Sequence, residues 1–155
     1  KKLIPQALRD NFNIGVLLLD MDHFKAVNDE YGHDIGDKVL KELARILVEN
    51  VRESDLVVRY GGEEFIILLV NIGEDEALKV ANKIKQKVAE NEIDVYAGSK
   101  LKKTVSIGLS MYPKDSTSFD SVIKNADIAL YEAKHKGRNQ VIRFKEEQIT
   151  SVELF

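Results

Sequence analysis

The sequence predicts an α/β (α+β) fold, a central mixed sheet flanked by helices, on three observations. Ile14 to Leu19 is a continuous apolar run that ends on an acid, Asp20, as a strand covered on both faces does. Two later stretches carry apolar residues at helical spacing, Val39, Leu40, Leu43, Ile46 and Leu47, then Ala77, Val80, Ala81, Ile84 and Val88. Between those helices lies Arg59-Tyr60-Gly61-Gly62-Glu63-Glu64-Phe65, set between Leu56-Val57-Val58 and the apolar run Ile66 to Val70. It reads as a β-hairpin whose two glycines supply the positive φ that tight turns need. At 155 residues the chain is long enough for one real core and too short for two domains of ordinary size.

Taken in order, residues 1–13 (KKLIPQALRDNFN) are charged, contain Pro5 and show a weak helical pattern through Leu3, Ile4 and Leu8. They are expected to be the remnant of an N-terminal helix or linker, outside a domain spanning 14–145. Strand one is Ile14 to Leu19. After Asp20-Met21-Asp22, a short helix or turn from His23 to Glu30 leads to a glycine-punctuated loop, Tyr31 to Asp37, and then to the first long helix. Strand two (about Asp55 to Arg59), the glycine turn and strand three follow, then the second long helix.

Asn91 to Lys103 is expected to be a small exposed hairpin or loop. Thr104 to Met111 alternates strictly, with Val105, Ile107, Leu109 and Met111 on one side, which predicts a half-buried strand. Ser116-Thr117-Ser118 offers an N-cap for a last long helix bearing Val122, Ile123, Ala126, Leu130 and Ala133, and Gly137 suits its end. Gln140 to Phe144 is a final short strand, and 146–155 is a tail without pattern.

This order is that of a ferredoxin-like split βαβ unit with a helix and a strand appended. A right-handed crossover makes strands one and two parallel, with strand three between them and antiparallel to both. The end of strand one then lies beside the start of strand three, which places Asp20 and Asp22 against Glu63 and Glu64. Two acidic clusters some forty residues apart become one site, suited to a divalent cation held by oxygen ligands. The competing reading of Glu63-Glu64 alone is a solvated turn.

Composition narrows the partners. A net charge of −3 leaves no general positive field for a nucleic-acid polymer. No apolar stretch approaches the roughly 20 residues that span a bilayer, and no secretory signal is recognisable, so no membrane contact is expected of this segment. The chain has no cysteine, which excludes disulfides and thiolate metal sites and fits a reducing cytoplasm.

LLLDMDHFKAVNDEYGHDIGDKVL followed by RYGGEEF resembles the GGDEF domain of diguanylate cyclases, with Glu as a common variant at the third position of the signature. The resemblance runs from about Ile14 to Arg143 and implies a nucleotidyl-cyclase, palm-like sheet. It also implies condensation of two GTP into cyclic di-GMP, with release of two pyrophosphates, Mg²⁺ or Mn²⁺ as cofactor, and two domains facing each other as a homodimer. On that resemblance Asp20, the Met21 carbonyl and Glu63 are metal ligands. Glu63 is also the group expected to accept the 3′-hydroxyl proton, Glu64 supports it, and Asp22 is a weaker candidate for the metal, with a capping or supporting role as the alternative.

Asn28 and Asp37 match the positions that read guanine, and His33 borders the base or shapes its loop. Lys134 and Arg138 match the family's K-x-x-x-R pair on the triphosphate, and Lys25 stands at the entry of the first helix, where free N–H groups suit phosphates. Residue by residue, the alternatives are a turn for Asn28, a helix N-cap for Asp37 and complementation of a helix dipole for Lys134 and Arg138. Arg52 and Asp55 reproduce an R-x-x-D signature at the family's offset, which implies an inhibitory site for cyclic di-GMP; an exposed ion pair is the alternative.

The family's D-x-L-T-x-L-x-N-R-R stretch is absent upstream of strand one. That implies a piece of a longer protein with a sensor or dimerisation module in front, in the cytoplasm or as the cytoplasmic part of a membrane-anchored sensor, and an isolated fragment that is mainly monomeric. Two other readings stand beside the enzyme, a catalytically silent module that binds GTP or cyclic di-GMP, and a different nucleotidyl transferase on the same fold.

Overall fold

The computed structural model describes residues 13–146. The expected N-terminal remnant up to Phe12 and the tail beyond Glu146 lie outside them. The elements are β1 (Ile14–Met21), α1 (Phe24–Tyr31), α2 (His33–Glu49), β2 (Leu56–Gly61), β3 (Glu64–Val70), α3 (Glu74–Glu90), β4 (Ile93–Asp94), β5 (Lys100–Leu101), β6 (Val105–Tyr112), α4 (Phe119–His135) and β7 (Val141–Arg143). β4 and β5 form the expected small hairpin.

The main sheet has the order β2-β3-β1-β6-β7. β3 is antiparallel to both β1 and β2, β6 is antiparallel to β1, and β7 is parallel to β6. The expected split βαβ arrangement is present, with β1 and β2 parallel and β3 between them.

The period of two in the strands sorts their side chains into two cores. Leu17, Leu19, Phe65, Ile67, Leu69, Ile107 and Leu109 face the layer of α1, α2 and α3, where Val39, Leu43, Leu47, Ala77 and Ile84 meet them. Ile14, Val16, Leu18, Ile66 and Leu68 face α4 through Val122, Ala126 and Leu130. Each such fully buried aliphatic side chain contributes about 1.5–3 kcal/mol relative to exposure. β1 is buried along its whole length, as its unbroken apolar run requires.

Three local expectations are corrected. β6 is buried on both faces rather than half-buried. Its second face carries Ser106, Gly108 and Ser110, small residues that let α4 lie directly on the strand: a Cβ at Gly108 would fall 2.1 Å from the Ala126 carbonyl oxygen and 2.4 Å from the Leu130 nitrogen. The loop expected over Tyr31 to Asp37 is almost entirely helical. Only Gly32, at φ 88°, breaks the chain, and α2 begins at His33 with Gly32 as its N-cap. Asp37 is therefore inside the helix and caps nothing.

Third, neither Gly61 nor Gly62 takes a positive φ. Gly61 is still in β2 opposite Glu64, and a register shift between Arg59 and Gly61 absorbs the geometry that left-handed glycines were expected to supply. The turn itself is Gly62-Glu63, pinned by a hydrogen bond from Arg59 Nε to the Gly62 carbonyl at 2.7 Å.

Because the groups a Gly108 Cβ would strike are backbone of α4, the helix must move to admit it. Gly108→Ala is expected to lower the unfolding free energy by about 3 kcal/mol, the upper part of the usual range for an overpacked core, measured by chemical denaturation. A wild-type midpoint and slope would contradict the close packing of α4 on β6.

Candidate active site

Asp20 is the last residue but one of β1, directly opposite Glu64 of β3 on one side and Ser106 of β6 on the other. It lies on the α4 side of the sheet, in alternation with Val16 and Leu18. There the last turn of α4 delivers Lys134, whose Nζ donates to Asp20 Oδ2 in an ion pair. The residue is 4 % exposed, and its second carboxylate oxygen, Oδ1, is buried without a hydrogen-bond partner among the described residues. A buried anionic oxygen left bare is costly unless something else binds there.

Glu63 sits in the turn beside this pair. Burial, first, and then the charge of Asp20 push its carboxyl above the usual Glu range; Lys134 opposes the shift and Glu64 adds to it. The acids from two distant stretches thus share one field. Met21, the last residue of β1, is paired with Val105, and its side chain is in the core. The donor set is of hard oxygens, which suits Mg²⁺ or Mn²⁺. Among the described residues no cluster of three or more His, Cys, Asp or Glu side chains forms a ready cage for an ion. An ion bound there would need further ligands of its own, such as the oxygens of a triphosphate.

Asp22 does not join the acids. It is directed away from β3, onto Thr104, Ser106 and the backbone of Asn139, and is buried there. That orientation also leaves the N-terminus of α1 without a side-chain cap; His23 precedes it in the left-handed region at φ 58°, and Lys25 stands exposed in its first turn. An uncapped helix start with a lysine beside it suits an anion.

Asn28, half-buried on α1, packs its amide into the space left by the missing side chain of Gly36 on α2, where a Cβ would lie 1.8 Å from Asn28 Oδ1. This contact joins the two helices and brings Asn28 next to the residue preceding Asp37. His33 and Asp37 are exposed in the first two turns of α2. Arg138, at φ 64°, follows α4, its Nη1 donating to the Lys134 carbonyl at 3.4 Å.

Arg52 and Asp55 lie elsewhere. Asp55 accepts hydrogen bonds from the Arg52 amide at 2.8 Å, the Arg52 guanidinium at 3.2 Å and the Val70 amide at 2.9 Å. Val70 is the far end of β3 from Glu64, about 20 Å away at the rise of a strand. The Asp55 side chain is nearly buried, that of Arg52 is 53 % exposed, and both line a groove of about 460 Å³ with Glu76 and Lys83.

Reasoning from the sequence missed Thr104, Ser106, Asn139 and Gly36. The alternation of small residues with Val105, Ile107 and Leu109 is the signal that a second layer covers β6, and it points to Ser106.

A family model described as "Diguanylate cyclase, GGDEF domain" matches residues 1–140. Diguanylate cyclase A of Treponema denticola is 46% identical over 128 residues, 83% of this chain and 34% of that protein. Diguanylate cyclase DosC of Escherichia coli is 39% identical over 94% of this chain and 31% of its own length. The chain thus spans about a third of these relatives. Among solved structures, the GGDEF domain of TpbB from Pseudomonas aeruginosa superimposes with a TM-score of 0.93 at 31% identity, over 98% of this chain and 88% of that one.

The raised carboxyl of Glu63 has a consequence for stability without any ligand. An acid held above its unfolded value costs nothing below the ordinary Glu range, near 4.5, where both states are protonated, and penalises the fold once pH exceeds the raised value. Glu63→Gln, which imitates the protonated form, is expected to raise the melting temperature of the metal-free protein at pH 7 and to converge on wild type below pH 4.5. A variant less stable at pH 7 would contradict the shared field.

Proposed function

The chain belongs to the GGDEF domain family of diguanylate cyclases, and from that premise we propose that it condenses two GTP into cyclic di-GMP, releasing two pyrophosphates. The observation that carries the reading is the bare, buried Asp20 Oδ1 beside a Glu63 whose carboxyl its charge helps to raise. Mg²⁺ or Mn²⁺ held by Asp20, Glu63 and the Met21 carbonyl would supply charge neutralisation on the triphosphate and an in-line arrangement of the reacting groups.

The side chains then divide the work. Glu63 accepts the proton of the 3′-hydroxyl as its oxygen bonds to the α-phosphorus of the second GTP and the bond to the β-phosphate oxygen breaks. In the metal-free chain its carboxyl is shifted upward, and Glu64 contributes to the shift. Lys134 is paired with Asp20 and on this reading transfers to the triphosphate, joined by Arg138 and by Lys25 at the uncapped start of α1. Asn28 and Asp37 accept from the N1–H and N2–H₂ edge of guanine, with His33 at its border. Adenine presents an acceptor at N1, and the resulting mismatch disfavours ATP by about 1–3 kcal/mol. Each domain holds one GTP, so turnover needs two copies face to face and the isolated chain is mainly monomeric.

Arg52 and Asp55 are proposed as the inhibitory product site. The GGDEF domain of DgcB from Caulobacter crescentus, 29% identical to this chain, has been solved in complex with c-di-GMP, the proposed product here. Asp55 accepts from the Val70 amide and from the Arg52 guanidinium, and that guanidinium, exposed at the rim of the groove, is the side on which a ligand would meet the pair.

With the chain dimerised through a fused coiled coil, GTP and Mg²⁺ are expected to give cyclic di-GMP detectable by chromatography. Glu63→Ala is expected to lower the rate about 10³-fold or more. GTP binding without product in the dimerised wild type would instead favour a silent sensor module. In the same assay Arg52→Ala is expected to relieve inhibition by added cyclic di-GMP while keeping the uninhibited rate; unchanged inhibition would remove Arg52 from the product site.

A further inference from the structure

Asp22 follows β1 directly and, among the described residues, accepts three hydrogen bonds, none from a cation. Ser106 Oγ donates to Oδ1 at 2.6 Å, and Thr104 Oγ1 and the Asn139 amide donate to Oδ2 at 2.6 and 3.0 Å. The residue is 3 % exposed, and its own amide donates to the Thr104 carbonyl at 2.9 Å. A buried carboxylate held by neutral donors alone is a costly way to join strands, because apolar side chains would do so without desolvating a charge.

What the carboxylate holds gives it a use. The three residues Gly137, Arg138 and Asn139 all lie in the left-handed region, at φ 119°, 64° and 48°. For the two that are not glycine this backbone is strained and persists only where neighbours over-determine it. Its restraints include the Arg138 amide on the Ala133 carbonyl at 3.0 Å, the Gln140 side-chain amide on the Arg138 carbonyl at 3.0 Å, and the Asn139 amide on Asp22, which alone among these reaches across to the end of β1. Lys134, one helical turn before Arg138, is meanwhile paired with Asp20. The two acids that flank Met21 therefore hold the same segment, one through a side chain and the other through the backbone.

We propose that Asp22 is the positioning residue for the basic pair, fixing where Lys134 and Arg138 stand relative to Asp20 and hence where the triphosphate is received. The inference rests on the functional reading above and assigns Asp22 no contact with nucleotide or cation. It separates Asp22 from Asp20, although the two look alike in the sequence.

The test compares the affinities of the chain itself for GTP and for GMP, by calorimetry with Mg²⁺. GMP keeps the base and loses the phosphates that the basic pair receives, so the ratio of the two affinities reports on the pair and not on the integrity of the fold. Asp22→Ala is expected to lower the GTP-to-GMP ratio about tenfold, as for a displaced binding group, with GMP affinity unchanged. Asp22→Asn, whose amide oxygen can still accept from Asn139 while its NH₂ donates to the Ser106 hydroxyl, is expected to restore most of the ratio.

If Asp22→Ala does not fold, Asp22→Leu combined with Thr104→Val and Ser106→Ala replaces the whole polar cluster by apolar groups. Such a replacement removes the charge together with its two hydroxyl donors, so it is less disruptive than Asp22→Ala, yet it still deprives Asn139 of its acceptor, and the ratio is expected to fall here too. A ratio within about twofold of wild type in whichever of these variants folds overturns the proposal. A wild-type chain that binds GTP no better than GMP contradicts the functional reading itself.

Discussion

The antiparallel pairing of β1 with β3 is the constraint on which the site depends. Register in a sheet advances in steps of one residue, and a slip of one would carry every side chain of a strand to the other face. The pairing is specified by two apolar runs, Ile14 to Leu19 and Phe65 to Val70, each buried on both sides. Once Leu18 faces Ile66 and Leu19 faces Phe65, Asp20 can face only Glu64, and the turn that follows puts Glu63 beside it. Burial along the strands thus imposes a concentration of negative charge at their end, which repulsion alone would disperse. The free energy of the core exceeds the electrostatic cost, and burial, with the charge of Asp20 second to it, raises the Glu63 carboxyl.

The same packing supplies the balancing charge. Gly108 and its small neighbours on β6 let α4 settle onto the sheet, so that its last turn carries Lys134 to Asp20. Helix C-termini are places where cations are favoured, and the end of α4 bears Lys134 and His135. Here, however, the lysine is committed to a specific carboxylate. Asp22, two residues beyond Asp20, fastens the turn after the helix. Strand β1 therefore fixes the acids directly and the bases at one remove, and a disturbance of α4 is a disturbance of the site.

The fold was legible because its signals are physical and local. A doubly covered strand reads as a continuous apolar run, an amphipathic helix as a period of 3.6, and the handedness of crossovers then leaves few topologies. From these alone the meeting of Asp20 with the start of β3 was foreseeable. The failures were also physical. Strict alternation in β6 suggests a wet face because serine and glycine read as polar surface, whereas they are the spacers that admit a helix. Glycines at 32 and 36 suggest a loop, but Gly36 is helical and its missing side chain leaves the space that receives Asn28. The Gly61-Gly62 pair suggests left-handed backbone, but the bulge beside Arg59 removes that need. Asp22 looks like a partner of Asp20 until its neighbours on β6 are known. In each case the residue type was informative and the missing knowledge was what lay against it.

The assembly of acids from β1 and from the β2–β3 turn into one cation site is the central claim, and anomalous diffraction tests it most directly. Crystals of the protein grown with Mn²⁺ and a non-reactive GTP analogue are predicted to show the manganese peak bonded to carboxylate oxygens of both Asp20 and Glu63, with Lys134 moved from Asp20 onto the phosphates. A manganese peak that contacts neither carboxylate, with Lys134 still on Asp20 and the nucleotide bound elsewhere, would contradict the account.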